Sequence, residues 1–152
     1  MKVELESTGP ERARGEVLAI PFAGRSSALV ARLDAIMGGR LALLAADASA
    51  EPGRTSVLNV AEADALEATR VALIGVGQRD DVDPAAVRTG AAAASRLARS
   101  FGGRLSWAFD GELPLEGEAQ VRSVVEGAII GSYDPGRRKS NRQEAPVDEY
   151  RP

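Results

Sequence analysis

The sequence predicts a layered α/β domain, a mixed β-sheet with helices on its faces, in the element order β-β-α-(α)-β-β-α-β-α. Three observations carry that prediction. Two short, nearly continuous apolar runs, Val17-Leu18-Ala19-Ile20-Pro21-Phe22 and Val71-Ala72-Leu73-Ile74-Gly75-Val76, have the length and composition of strands covered on both faces. Between and after them lie stretches with apolar residues at helical spacing, several ending at a glycine pair. The chain has 152 residues, a single-domain length at which roughly 68–70% of the unfolded surface becomes buried.

The elements follow in order. Val3 and Leu5 alternate with Lys2, Glu4 and Glu6, the pattern of an edge strand with one wet face, and Thr8-Gly9-Pro10 breaks it. The run from Val17 is a strand that Pro21 is expected to end, because proline cannot donate to a ladder. Ser26 or Ser27 can cap a helix with the stripe Leu29, Leu33, Ile36 and Met37, stopped by Gly38-Gly39. Residues 41–46 read as a second short helix, and Glu51-Pro52-Gly53 as a turn. Residues 55–60 form a strand, and 71–76 make the best central strand.

Asp83-Pro84 is a strong helix start, with Asp as cap and Pro at the first helical position. The helix carries Val87, Ala91, Ala94, Leu97 and Phe101 on one face, and its many alanines let it lie close on a sheet; Gly102-Gly103 ends it. Leu105, Trp107 and Phe109 alternate with Ser106, Ala108 and Asp110, predicting a strand with a large aromatic face. A Leu113-Pro114 connector leads into the last helix, where Val121, Val124, Val125, Ala128 and Ile129 make an apolar stripe. Gly127 and Gly131 lie four apart on that helix and share a face. Each costs roughly 1 kcal/mol against alanine, so the pair predicts a helix pressed close against a neighbour. Beyond Tyr133 the periodicity vanishes, and residues 134–152 have the composition of a linker or tail.

Composition narrows the chemistry. The net charge of −3, from 19 basic and 22 acidic residues, implies neither nucleic acid nor an acidic surface as partner. Cysteine and histidine are both absent, which removes disulfides, thiolate metal sites, the commonest general base and the commonest zinc ligand. Lysine occurs only at Lys2 and Lys139, which argues against a Ser-Lys nucleophile in a folded core. No run approaches a membrane span and no signal-type h-region follows Met1-Lys2, so a soluble, cytoplasmic protein is expected.

Each motif has a structural reading that outweighs the chemical one. Gly75-Val76-Gly77 sits where a dinucleotide fingerprint would, but the third glycine position is Asp80, so it reads as a turn. Asp80, Asp81 and Asp83 suit a helix start better than a hard cation, which takes six or more oxygens. Asp110, Glu112, Glu116 and Glu118 read as solvated surface. Arg137, Arg138, Lys139 and Arg142 make a basic tract diluted by nearby acids, a linker more than a phosphate-binding patch. There is no nucleophile elbow, Walker loop or His-Glu-x-x-His helix.

The run Glu126-Gly127-Ala128-Ile129-Ile130-Gly131-Ser132-Tyr133, taken with Leu73-Ile74-Gly75-Val76-Gly77, resembles the N-terminal domain of the leucyl (cytosol) aminopeptidases, dizinc metallopeptidases. The likeness extends from about Val17 to Ser140, with Gly38-Gly39 and the turn-and-strand stretch from Ala50 to Val60 also fitting. It departs after Tyr133, where Pro135 and Arg138 replace aromatics that the family often shows. The resemblance implies a three-layer, macro-domain-like fold over residues 1–133, and a linker, 134–152, toward a catalytic domain. It implies a non-catalytic role in assembly and active-site access, at the periphery of a hexamer. The parent would release N-terminal amino acids from peptides with two divalent metals, zinc or manganese, all held outside this segment. Partners would be its own catalytic domain and neighbouring subunits, with no nucleic acid and no membrane.

The family's Asn-Thr-Asp-Ala-Glu-Gly-Arg type of run is absent, so no residue inherits a catalytic, cofactor-binding or metal-binding role. Two other readings remain open. One is a free-standing macro-like module binding a nucleotide or ADP-ribose near Asn59 and Gly75 to Gln78, at the strand C-termini. The other is an assembly module pairing through the Val3 to Leu5 edge or the glycine face of the last helix.

Overall fold

The computed structural model describes residues 8–133 together with Glu4 and Glu6. Its elements are β1 (Val17–Phe22), α1 (Ala28–Ile36), α2 (Arg40–Asp47), β2 (Thr55–Asn59), β3 (Arg70–Gly75), α3 (Pro84–Ser100), β4 (Leu105–Trp107) and α4 (Gly117–Ser132). Short 3-10 turns occupy Pro10–Arg12 and Arg79–Asp81. The expected edge strand at Val3 to Leu5 and the linker over 134–152, with Arg137, Arg138, Lys139 and Arg142, lie outside the described residues.

Among the described residues the sheet has four strands in the order β2-β3-β1-β4. β1 runs parallel to both β3 and β4, and β2 pairs antiparallel with β3, so the sheet is mixed, as expected. Period-two alternation divides the apolar strands between two layers. Leu18, Ile20, Phe22, Val71 and Leu73 face α1 and α2, where Val30, Leu33, Met37 and Leu41 complete a fully buried cluster. Val17, Ala19, Ala72 and Ile74 face α3 and meet Ala94 and Ala98.

Proline does not end β1. Pro21 sits inside a central strand, in register with Ile74. The ladder explains the tolerance. Val17 N–H donates to Arg104 and Ala19 O accepts from Ala108, so the odd-numbered residues of β1 face β4. β4 ends at Trp107, opposite Ala19, so the missing N–H of Pro21 falls where that ladder has already run out.

Helix ends follow local chemistry. Ser27 caps α1, its hydroxyl accepting from Val30 N at 3.2 Å. Gly38 and Gly39, at φ +65° and +88°, turn the chain from α1 into α2, a conformation that side chains resist. Asp83 caps α3, accepting from Ala86 N at 2.8 Å, with Pro84 at the first position. The 17-residue α3 is buried on two sides: Gly90 lies against β3, and Arg88, Ala91 and Ala92 lie against α4.

That second contact is the glycine face of α4, which the sequence identifies correctly as a close approach. A Cβ at Gly127 would stand 2.3 Å from the Arg88 carbonyl oxygen, and one at Gly131 2.3 Å from that of Ala92. Ser95 Oγ donates to Ala128 O at 3.1 Å, and Arg99 Nη1 to Gly131 O at 3.0 Å, fastening the pair. The face of α4 that enters the protein is therefore Gln120, Ser123, Gly127 and Gly131. Of the apolar stripe only Val124 joins a core cluster, beside Trp107 and Leu115, and Ile129 is exposed.

Candidate functional site

In an open α/β sheet the place to look for a ligand is the crevice at the strand C-termini. Here β3 delivers Gly75 there, and the chain passes through Val76, Gly77 and Gln78 to the start of α3. The adjoining cleft, about 630 Å³, is lined by Ser49 to Pro52 on one side and by Gly77, Asp81, Asp83 and Thr89 on the other.

Three backbone donors in and beside it are already engaged. Gly77 N–H donates to Ala50 O at 2.7 Å, Gly75 N–H to Arg54 O at 2.8 Å, and Gly53 N–H to Gly75 O at 3.0 Å. The segment from Ser49 to Arg54 thus lies across the end of β3. A Cβ at Gly75 would stand 2.2 Å from Glu51 O, so this glycine exists for a close crossing of two backbones. Gly77 supplies a positive φ of +99° at the turn. Both glycines are structural, as the sequence suggests.

The cleft is also poorly arranged for a phosphate. Glu51, Asp81 and Asp83 give it a negative rim. The α3 N-terminus, the usual anion seat, has its Ala86 N–H held by Asp83 and no N–H at Pro84. Asn59 takes no part. Because β2 is antiparallel, Asn59 pairs with Arg70 at the opposite end of β3 from Gly75, so the sequence grouping of Asn59 with Gly75 to Gln78 is corrected.

The acidic connector before α4 also differs from expectation. Asp110 is not solvated: it is 4% exposed, and its Oδ1 accepts from Glu112 N at 2.9 Å. Its main chain is clamped by the buried amide of Gln120, which accepts from Asp110 N and donates to Asp110 O, both at 3.1 Å. This clamp draws the chain off the sheet, so β4 ends at Trp107 and Phe109, expected on an aromatic strand face, is 52% exposed beside Gly117. Glu112 bridges elements, accepting from Ala28 N at 3.0 Å at the start of α1 and from Arg79 Nη2 at 3.3 Å. Sequence reasoning missed Gln120. The signal was its spacing of seven and eleven from Gly127 and Gly131, on the same helix face.

Two ion pairs hold the periphery opposite α3. Glu11 receives Arg32 through two bonds, 2.5 and 2.7 Å, and the Arg32 guanidinium keeps the Glu11 carboxyl below its ordinary range. Arg40 pairs with Asp64, whose carboxyl also accepts from Ala61 N at 2.6 Å; Arg40, chiefly, lowers the Asp64 pKa. Both pairs pin loops, and Glu11 and Asp64 also line a second open cleft of about 530 Å³, with Ile36 and Leu66 beside them.

As metal donors the sequence offers carboxylates but no imidazole or thiolate. Histidine and cysteine are missing from the whole sequence, and the nearest carboxylates, at Asp80, Asp81 and Asp83, include one committed to a helix cap. Among the described residues no group of three or more acidic side chains is placed to hold a metal ion. Among them, too, no helix is long and apolar enough to cross a membrane.

Comparison with known proteins gives this frame a lineage. The solved macrodomain of Mycobacterium tuberculosis DarG superposes with a TM-score of 0.62 at 12% identity, covering 80% of this chain and 86% of that one. The bottromycin maturation enzyme BotP, solved in complex with Mn, superposes with a TM-score of 0.54 at 22% identity, covering 83% of this chain but 25% of that one. At such identities the likeness establishes the fold, a macro-like α/β domain. A probable cytosol aminopeptidase of Solibacter usitatus is 25% identical over 153 residues, which is 99% of this chain and 29% of that protein's length. The family model for the N-terminal domain of the cytosol aminopeptidases matches residues 19–142. With most of its length matched, its glycine-bearing last helix included, the chain belongs to the cytosol aminopeptidase family and corresponds to that family's N-terminal domain.

Proposed function

We propose that this chain is a non-catalytic accessory domain, residues 1–133, followed by a linker over 134–152, in an enzyme that releases N-terminal amino acids from peptides. In this reading the domain contributes to assembly of the parent enzyme and to access to its active site. Its partners are a catalytic domain of the same polypeptide and neighbouring subunits of a homo-oligomer in the cytoplasm. The hydrolysis itself, by metal-activated water, belongs to the catalytic domain, which would hold both divalent metals.

The observation that carries this reading is the family match over residues 19–142, joined to the fact that the chain spans 29% of its curated relative's length. The chemistry agrees with it. No histidine or cysteine is available for a metal or a nucleophile, and the strand-end cleft is crossed by its own backbone and rimmed by carboxylates. The same acidic rim speaks against the alternative of a free-standing nucleotide or ADP-ribose binder.

The test compares three samples: the native gene product, the 152-residue chain, and the gene product lacking residues 1–133. Each is assayed with a leucine amide in the presence of zinc or manganese, and its mass is measured under native conditions. Expected are turnover by the native product, none by the chain alone, and a changed oligomer for the truncated form. Turnover by the purified 152-residue chain would refute the reading. So would a native mass equal to the chain's 15.9 kDa. Calorimetry with ADP-ribose addresses the alternative: heat and a melting shift would revive it.

A further inference from the structure

Among the described residues the sheet ends on β2 at one side and on β4 at the other. Edge strands carry backbone donors and acceptors that a strand of another chain can take. β4 offers little, because it is three residues long and stops at Trp107, where the Gln120 clamp draws the chain away. β2 offers more. Its ladder is bounded by Gly75 N–H donating to Arg54 O and by Val60 N–H donating to Thr69 O, so the even-numbered residues turn their main chain toward β3. The N–H and C=O groups of Thr55, Val57 and Asn59 therefore point out of the sheet. Of these, the Asn59 carbonyl is taken. Arg40, the first residue of α2, reaches round the edge, and its Nη1 donates to Asn59 O at 3.2 Å. The other guanidinium arm pairs with Asp64, whose side chain is only 7% exposed and also accepts from Ala61 N at 2.6 Å. The guanidinium is thus held between the strand it covers and the loop that follows that strand.

We propose that Arg40 guards the open edge of the sheet, capping the end of β2 so that it does not pair with the β2 edge of a second copy of the chain. The proposal does not depend on the accessory role argued above. Without the guard the strand is its own complement. Antiparallel pairing about a two-fold axis at Val57 sets Val57 against itself and Thr55 against the copy's Asn59. No like charges meet in that register, and valine and threonine favour strands, so the residues of β2 do not themselves forbid it. The register does require each Asn59 carbonyl to accept from the copy's Thr55 N–H. Arg40 already stands where that N–H would come, and by symmetry the pairing is blocked at both of its ends. What stays open is Thr55 to Val57, as short as β4. Natural strands most often run to about five or six residues, so the cap reduces the free edge from a usual length to a marginal one.

The experiment compares the 152-residue chain with its Arg40→Ala variant in a concentration series by sedimentation and light scattering, up to about 1 mM to include weak association. Far-ultraviolet dichroism at the lowest concentration confirms that each is folded. The expected result is a variant mass that climbs above the parent's, toward twice 15.9 kDa, as concentration rises. Hydrogen exchange at the Thr55 and Val57 amides, open in the parent, should slow as the mass climbs. Adding Thr55→Pro to Arg40→Ala should restore the parent's mass, since proline at the first residue of an edge strand removes an outward donor and spares the ladder to β3. If Arg40→Ala does not fold, Asp64→Asn carries the same test, because it keeps an acceptor for Ala61 but no charge to hold the guanidinium. A folded variant whose mass follows the parent's at every concentration overturns the proposal and leaves Arg40 as a pin for the loop after β2. Association that leaves Thr55 and Val57 exchanging at the parent's rate, or that Thr55→Pro does not suppress, overturns it equally by placing the new contact elsewhere.

Discussion

Replacing Gly127 by alanine tests whether α3 and α4 really touch backbone to backbone. In isolation the change should help, since alanine is about 1 kcal/mol better than glycine inside a helix. In this fold the new Cβ would stand 2.3 Å from the Arg88 carbonyl oxygen and 2.7 Å from Ala91 Cβ. Ordinary van der Waals contact begins near 3.4 Å, so α4 must retreat by about 1 Å. No rotamer change relieves a clash with a backbone carbonyl. A gap of that size forfeits roughly a quarter to a half of each dispersion contact along the interface. Overpacking of this kind costs about 1–3 kcal/mol, and the immovable oxygen argues for the upper end. Subtracting the propensity gain leaves a net loss of about 2 kcal/mol. At this chain length that corresponds to a melting temperature lowered by roughly 4–8 °C.

The assay is thermal and urea unfolding followed by circular dichroism, with Gly117→Ala as the comparator. Gly117 lies on the same helix, but its Cβ would meet only the Phe109 ring at 3.4 Å, so that variant should match the parent or exceed it slightly. The double change at Gly127 and Gly131 should cost less than the sum of the two singles, because one retreat of the helix relieves both clashes. Should Gly127→Ala melt at or above the parent temperature, the propensity gain would have gone unopposed. The close helix contact would then be wrong.

Three further outcomes follow from the structure. Gln120→Ala strands a buried N–H and a buried carbonyl of Asp110, and should lower stability by about 2–4 kcal/mol in urea titration, with Gln120→Glu no milder, because it buries a carboxylate and sets an oxygen against the Asp110 carbonyl. Asp83→Ala removes the cap of α3 and should cost about 1 kcal/mol, most of it restored by Asp83→Asn. Asp64 and Glu11 are both held below their ordinary values of 3.8 and 4.5 by Arg40 and Arg32, so the unfolded chain takes up protons more readily than the folded one. Their contribution is complete above those values and is lost as pH falls through and below them. Acid titrations of stability should therefore be flatter for Arg40→Gln and Arg32→Gln than for the parent chain.

The sequence by itself determined a good deal. Strand runs such as 17–22 and 71–76, the caps at Ser27 and Asp83, and the stops at Gly38-Gly39 and Gly102-Gly103 are local chemistry, and local chemistry is written in neighbouring residues. So was the absence of histidine and cysteine, which bounds the site more firmly than any geometry. Tertiary structure decided what depends on partners distant along the chain. Pro21 is tolerated in β1 because β4, some 85 residues later, ends beside it. Asp110 is buried because Gln120 satisfies its main chain, and Asn59 leaves the strand-end crevice because β2 runs antiparallel. Which face of α4 turns inward was likewise not a matter of hydrophobicity. The apolar stripe offers more transfer energy, but the two glycines allow a backbone approach that bulky side chains forbid, and α3 presents the small residues to meet it.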